Sequence, residues 1–330
     1  MKVAFFDMHR FEKKAFDEVN TRFDHEIRYL ESRLTPETAK LASQFPVICA
    51  FVNDRLNEAT LTILKSEGVR LIALRSAGFN HVDLSAARKL ALPVVRVPAY
   101  SPHAVAEHAV ALLLSLNRKI TRANSRVREL NFSLEGLVGF DLFGKTVGIL
   151  GTGKIGTVMA TIMKGFGCNV LAYDLETNLD LIALGVQYVQ LDEIYSRSEV
   201  ISLHVPLNET THHIINEASL AKMKPGVYLI NTGRGGLIDT KALITSLKHG
   251  HLGAAGLDVY EEEENIFFQD LSESCLQDDT LARLLTFPNV LITSHQAFLT
   301  HEALKHIAET TLENISSFEK TGLLINEVKV

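Results

Sequence analysis

The chain of 330 residues has only three cysteines, Cys49, Cys168 and Cys275, widely spaced and odd in number. They form neither a disulfide framework nor a paired-cysteine metal spacing. No metal is expected, and a reducing cytoplasm is the compartment that fits best. Positive charge is in deficit. The 33 Lys and Arg stand against 39 Asp and Glu, a net charge of −6. Phosphate backbones attract basic surfaces, so nucleic acid is not an expected partner. Long uncharged apolar runs are also missing. None reaches the roughly 20 residues that span a bilayer, so no membrane role is expected. The start, Met1-Lys2-Val3-Ala4-Phe5-Phe6-Asp7, has the pattern of a short strand rather than of a secretory leader. No repeat stands out beyond an alternation of strand and helix patterns, and the only low-complexity tract is Glu261–Glu264.

What is present is an ordinary globular composition, 46% hydrophobic and 22% charged. The length suits two domains of roughly 100–200 residues. The most informative segment is Val147-Gly148-Ile149-Leu150-Gly151-Thr152-Gly153-Lys154-Ile155-Gly156, followed by Leu171-Ala172-Tyr173-Asp174. It reads as a buried strand, a glycine turn, a helix start and a second strand ending in an acid. Gly151 permits the tight turn, Gly153 lets backbone approach a pyrophosphate, and Gly156 lets helix and strand pack closely. The helix N-terminus offers N–H groups and a positive dipole end to phosphates. Asp174 lies where a carboxylate binds the ribose hydroxyls of NAD and repels the extra phosphate of NADP.

Short apolar, β-branched runs continue on both sides. Lys2–Asp7, Val47–Val52, Leu71–Arg75 and Val94–Val97 read as strands before the glycine turn. Thr146–Leu150, Asn169–Tyr173, Val200–Val205, Val227–Asn231, Ala254–Val259 and Val290–Thr293 read as strands within and after it. Near-continuous apolar runs alternating with helices predict parallel sheets covered on both faces. The fold class is therefore α/β, with two doubly wound parallel-sheet domains, Rossmann- or flavodoxin-like, and a cleft between them. Thr300 is an expected N-cap for a last helix carrying Leu304, Ile307, Ala308, Leu312, Ile315 and Phe318 at helical spacing. That stripe must be buried, and return to the first domain would bury it. Residues 1–100 plus 298–330 then form one discontinuous domain and residues 101–297 a dinucleotide-binding domain. Ser101-Pro102 starts an apolar helix over Ala104 to about Asn117, suited to an interdomain or a subunit contact. Asn131–Lys145, with three glycines, reads as a loop.

In open α/β sheets ligands bind beyond the carboxyl ends of strands. Polar residues at those ends include His204, Thr232-Gly233-Arg234-Gly235, Asp258 and His295. Hydride transfer is the cofactor's chemistry. The protein must add a cation for a substrate anion, an acid for the new alkoxide, and a group that tunes the acid. Arg234 offers a planar fork for a carboxylate. His295 can exchange a proton near neutral pH. A glutamate paired with it would favour the protonated imidazole. Glu263 suits that role, but spacing alone does not separate it from Glu261, Glu262 and Glu264, and a solvated acidic run is the ordinary reading.

Ordered matches over nearly the whole chain carry a resemblance. They are Arg75-Ser76-Ala77-Gly78-Phe79-Asn80, Arg96-Val97-Pro98-Ala99-Tyr100, Ala104-Val105-Ala106-Glu107-His108, Asn131-Phe132-Ser133-Leu134-Glu135-Gly136, the glycine turn, Asn231-Thr232-Gly233-Arg234-Gly235, Gly256-Leu257-Asp258-Val259-Tyr260-Glu261 and His295-Gln296-Ala297-Phe298-Leu299-Thr300. The chain resembles the D-2-hydroxyacid dehydrogenases. The resemblance selects Glu263 and implies an Arg234, Glu263, His295 catalytic set. It implies that the Ala77 and Gly78 N–H groups bind the substrate carboxylate and that Tyr100 and Phe298 wall a small pocket. Lys154, Ile155, Asp174, Val205, Pro206, Thr232, Gly233 and Asp258 are implied to line the cofactor, with Asp258 near the nicotinamide amide. Gly233 departs from the Ser or Ala common before this arginine, and its flexibility would loosen Arg234. The implied reaction is reduction of pyruvate to D-lactate by NADH, in a homodimer or homotetramer. The alternatives are a larger 2-ketoacid substrate and a non-catalytic NAD-sensing module.

Overall fold

The computed structural model describes residues 1–264 and 266–329. Asn265 and Val330, the latter at the end of the expected 298–330 segment, lie outside the described residues. The chain divides into two compact units, unit 1 being Met1–Ser101 with Leu299–Val330 and unit 2 being Pro102–Phe298.

Unit 1 is built on five strands: β1 (Lys2–Phe5), β2 (Glu26–Tyr29), β3 (Val47–Ala50), β4 (Leu71–Leu74) and β5 (Val94–Val95). They pair in parallel in the order β2-β1-β3-β4-β5, the flavodoxin-like arrangement. The central strands β3 and β4 are buried at every position, as expected of a sheet covered on both faces. β2 was not expected. It is an edge strand of sequence EIRY whose exposed Glu26 and Arg28 alternate with half-buried Ile27 and Tyr29, so it lacks the apolar run. Helix His301–Thr321 packs against helix Arg10–Asn20 and β4. Burial of Ala303, Ile307, Ala308, Leu312 and Ile315 there accounts for its apolar stripe.

Unit 2 has seven parallel strands: β6 (Thr146–Leu150), β7 (Asn169–Tyr173), β8 (Gln187–Tyr188), β9 (Val200–Leu203), β10 (Val227–Asn231), β11 (Leu252–Leu257) and β12 (Val290–Ile292). Their order is β12-β11-β10-β9-β6-β7-β8. It reverses direction between β6 and β9, the switch point where such sheets bind ligands. Successive side chains enter opposite cores. Val147, Ile149, Tyr228 and Ile230 lie in one, Leu150, Ile201, Val227 and Leu229 in the other. β8 was also not expected, because two residues carry no periodicity. The expected strands at Val200–Val205, Ala254–Val259 and Val290–Thr293 end earlier, at Leu203, Leu257 and Ile292. Their last residues belong to the loops beyond the strand ends. Helix Pro102–Asn117 packs on helix Lys154–Gly165, β10 and β11, so burial inside its own unit accounts for its apolar character. No helix among the described residues is long and apolar enough to cross a membrane.

Candidate active site

The glycine turn after β6 is shaped by close approach. Gly151 has φ 91°, and a Cβ there would lie 2.6 Å from the His204 carbonyl oxygen. A Cβ on Gly156 would meet the Gly151 oxygen at 1.9 Å, so any side chain would push helix and turn apart. Gly153 faces open space and caps helix Lys154–Gly165 without a side-chain acceptor, leaving that helix end to an external anion. Lys154 is exposed and Ile155 half-buried beside it.

Asp174 follows β7. One of its oxygens accepts from the Thr152 N–H (2.5 Å) and hydroxyl (3.0 Å), and the other from the Leu175 N–H (2.7 Å). Burial alone would raise its pKa. The Thr152 and Leu175 donors outweigh that and hold the carboxyl below its ordinary value. A fixed, ionised acid one strand from the glycine turn is what an adenosine ribose requires. Val205 and Pro206 follow β9, with Val205 half-buried and Pro206 exposed. Beyond β10, Thr232 is buried and its hydroxyl has no hydrogen-bond partner among the described residues. An unsatisfied buried hydroxyl there, the open Gly153 cradle and the oriented acid all fit a dinucleotide.

The turn after Thr232 carries Arg234. Asn231 braces it, its amide donating to the Arg234 carbonyl (2.9 Å) and accepting from the Gly233 N–H (3.0 Å). The Arg234 guanidinium is half-buried and donates to the Gly233 carbonyl (2.8 Å). A Cβ on Gly233 would find its nearest neighbours at 3.4 Å and 3.5 Å, ordinary contact distances, so a Ser or Ala would fit. Gly235 is different. A Cβ there would sit 2.1 Å from the Tyr260 backbone, so only glycine lets the Arg234 turn rest on the segment after β11.

That segment holds the acid. Glu263 accepts from the Tyr260 N–H (3.0 Å) with one oxygen, while the other lies 2.7 Å from His295 Nδ1. Both side chains are largely buried, with 16% of His295 and 21% of Glu263 exposed. His295 is held at φ 54°, an uncommon backbone conformation for a residue with a side chain. Its N–H donates to the Asp258 carbonyl (2.7 Å), and the Phe268 ring lies 5.9 Å away.

Asp258, expected beside the nicotinamide, is fully buried and well supplied with donors. Its oxygens accept from the Gln296 N–H (2.9 Å), the Ala297 N–H (2.8 Å) and the Thr293 hydroxyl (2.6 Å). His108 reaches both Thr293 (3.0 Å) and Asp258 (3.4 Å). Burial opposes ionisation of Asp258, but these donors overcome it and lower the pKa. Asp258 thus clamps the loop that aims His295. Sequence reasoning missed His108 and Thr293 as parts of this clamp, and only the Glu107-His108 match hinted at the first.

The structure therefore joins Glu263, His295 and Asp258 in one bonded network and rests the Arg234 turn against it through Gly235 and Tyr260. Phe298 is half-buried at the end of unit 2. Ala77, Gly78 and Tyr100 belong to unit 1. There the Arg96 guanidinium donates to the Ala77 carbonyl (2.7 Å) and the Ser76 hydroxyl to the Gly78 carbonyl (2.8 Å). Among the described residues the Ala77 and Gly78 N–H groups have no partner. Tyr100 is half-buried, and its carbonyl lies 2.7 Å from His306 Nδ1.

Residues 110–297 match the family model described as D-isomer specific 2-hydroxyacid dehydrogenase, NAD binding domain. The chain is 53% identical over 319 residues to 2-hydroxyacid dehydrogenase homolog 1 of Schizosaccharomyces pombe, covering 96% of each. It is 50% identical over 328 residues to D-lactate dehydrogenase of Escherichia coli, covering 99% of this chain and all of that one. The apo-structure of the Escherichia coli D-lactate dehydrogenase superposes with a TM-score of 0.91 at 48% identity over all of both chains. D-lactate dehydrogenase of Aquifex aeolicus, solved with NAD and lactic acid, gives 0.86 at 36% identity over 96% of this chain and 95% of that one. The chain belongs to the D-2-hydroxyacid dehydrogenase family and is an oxidoreductase that uses NAD.

Proposed function

We propose that this chain reduces pyruvate to D-lactate with NADH and runs the reverse oxidation with NAD. The reading rests on the His295–Glu263 hydrogen bond set beside the glycine-flanked Arg234. The named activity of the Escherichia coli relative and the lactic acid in the Aquifex structure favour this substrate.

Bound NADH supplies the hydride. Arg234 exchanges the neutral Gly233 carbonyl for the substrate carboxylate, a stronger, charge-assisted acceptor that its fork grips at two oxygens. Glu263 holds Nδ1 of His295, so Nε2 is the position from which a proton passes to the new alkoxide. In the reverse direction Nε2 of the neutral ring takes that proton. The Asp258 clamp fixes the ring orientation. Gly151, Gly153, Lys154, Ile155, Gly156, Asp174, Val205, Pro206, Thr232 and Gly233 are assigned to the dinucleotide. Ala77, Gly78 and Tyr100 of unit 1 and Phe298 of unit 2 are assigned to the substrate with Arg234, and unit 1 is assigned to substrate binding.

A homodimer or homotetramer is part of this reading. The segment from Leu130 to Phe143 exposes Leu130, Phe132, Leu134, Val138 and Phe143 by 68–85%, an apolar display that a subunit contact would cover. A cytoplasmic location fits three cysteines that are all free.

The test is NADH absorbance with purified protein. D-lactate should be oxidised with NAD and L-lactate should not, and pyruvate should be the best of a series of 2-ketoacids. Oxidation of L-lactate, or preference for a longer 2-ketoacid, overturns the assignment. In Glu263→Gln the hydride step of pyruvate reduction should slow at least about tenfold with NADH affinity kept, because Nδ1 of His295 loses its carboxylate partner. An unchanged hydride step in that variant would remove Glu263 from the mechanism.

A further inference from the structure

A second histidine–glutamate arrangement uses none of the residues assigned to the dinucleotide or to proton transfer. His212 and His213 follow the Pro206 turn, and Glu261 follows β11. Consecutive side chains ordinarily diverge. Here His213 adopts φ 51°, and the two rings stack with centroids 3.9 Å apart and planes 28° from parallel. His213 Nε2 lies 2.5 Å from Glu261 Oε1. One donor atom from each of the three residues falls within 4.8 Å of the other two.

Two of the three are held from behind. The second oxygen of Glu261 accepts from the Thr240 hydroxyl (2.9 Å) and N–H (3.3 Å). The His213 N–H donates to the Gly236 carbonyl (2.9 Å), and its carbonyl accepts from the Asn216 amide (2.9 Å). Such outer partners orient metal ligands. His212 is exposed and closes the third side. Two imidazoles and one carboxylate, with an open side for water, form a donor set typical of zinc. Bonds of about 2.0–2.1 Å bring tetrahedral ligands to within roughly 3.3 Å of one another, so the exposed His212 ring is the one that must swing in. The four-residue acidic run and the scarcity of cysteine concealed this grouping, because Glu261 is 48 positions from His213.

We propose that His212, His213 and Glu261 bind one divalent transition-metal ion of the zinc type. The ion would brace the turn carrying Arg234, since Gly236 receives the His213 N–H and a Cβ on it would lie 3.7 Å from His212. The inference stands on this geometry and is independent of the 2-ketoacid assignment.

The full chain, stripped with a chelator, is titrated with zinc chloride against a chromophoric chelator. One ion per chain should bind, with affinity at least tenfold weaker in His212→Ala and in Glu261→Gln. Cobalt(II) should give a tetrahedral absorption spectrum that His212→Ala abolishes. His212 is exposed, so its truncation should leave NADH binding intact and show that the variant is folded. Absence of binding, or equal affinity in parent and His212→Ala, overturns the proposal. The latter would place the ion on other histidines.

Discussion

Glu261 and Glu263 stand two positions apart in an unbroken acidic run, yet each has its own histidine, His213 and His295 respectively. Spacing did not separate them; a tertiary turn did. Arg234 and His295 were legible because each immediately follows a strand end, where open α/β sheets place ligands. Their supports were not legible. Thr293 and the Gln296 and Ala297 N–H groups reach Asp258 across 35 to 39 positions, His108 comes from much earlier in the sequence, and none leaves a periodic trace. His204 shows what burial does to a residue the mechanism leaves aside. Burial pushes its imidazole from 6.5 down to about 4, and its nearest polar partner is the Ser202 hydroxyl at 2.9 Å. The folded form therefore keeps it neutral, and the unfolded chain takes up a proton first as pH falls. Its stabilising contribution is complete above pH 6.5 and is lost as pH falls from 6.5 toward 4. In His204→Gln, urea midpoints should decline less steeply across that window than in the parent. Parallel declines would show that the ring is charged or solvated in the fold.

Helix His301–Thr321 begins where sequence rules place it. The Thr300 side chain accepts from the Ala303 N–H at 3.2 Å, and Gly322, at φ 70°, ends the helix. Thr300→Ala should cost about 1 kcal/mol, read from chemical denaturation. A midpoint within error of the parent would mean that packing on helix Arg10–Asn20 alone sets this end. Long buried strands such as β6, β7 and β10 were legible to the residue, because two buried faces demand continuous apolar sequence. β2 and β8 were invisible for the opposite reason, one half-exposed and the other two residues long.

Two units, each with its own parallel sheet, make up the described residues, and the sheet of unit 2 has a core on each face. The cores of unit 2 draw on residues between Ala106 and Phe267 as well as Leu281 and Leu284, all from one continuous stretch. A fragment of residues 102–298 should therefore fold and quench on NADH with an affinity close to that of the full chain, while reducing no 2-ketoacid. Failure of the fragment to bind NADH would mean that unit 2 depends on unit 1 for its structure. The fold class was readable because parallel sheets impose βα alternation everywhere. The strand orders were not, since pairing skips intervening strands, as where Val147 of β6 pairs with Val200 of β9 across β7 and β8 in sequence.

Unit 1 is completed by helix His301–Thr321 and the segment after it, the helix packing on helix Arg10–Asn20 and the segment bonding to Val94 and Arg96, all far earlier in the sequence. On the ribosome, unit 2 emerges with every strand it needs already translated. The sheet of unit 1, translated before unit 2, must wait, its apolar flank bare, until helix His301–Thr321 follows unit 2. Unit 1 thus starts before unit 2 and matures after it, and the interval before its closing helix arrives is when chaperones have most to shield.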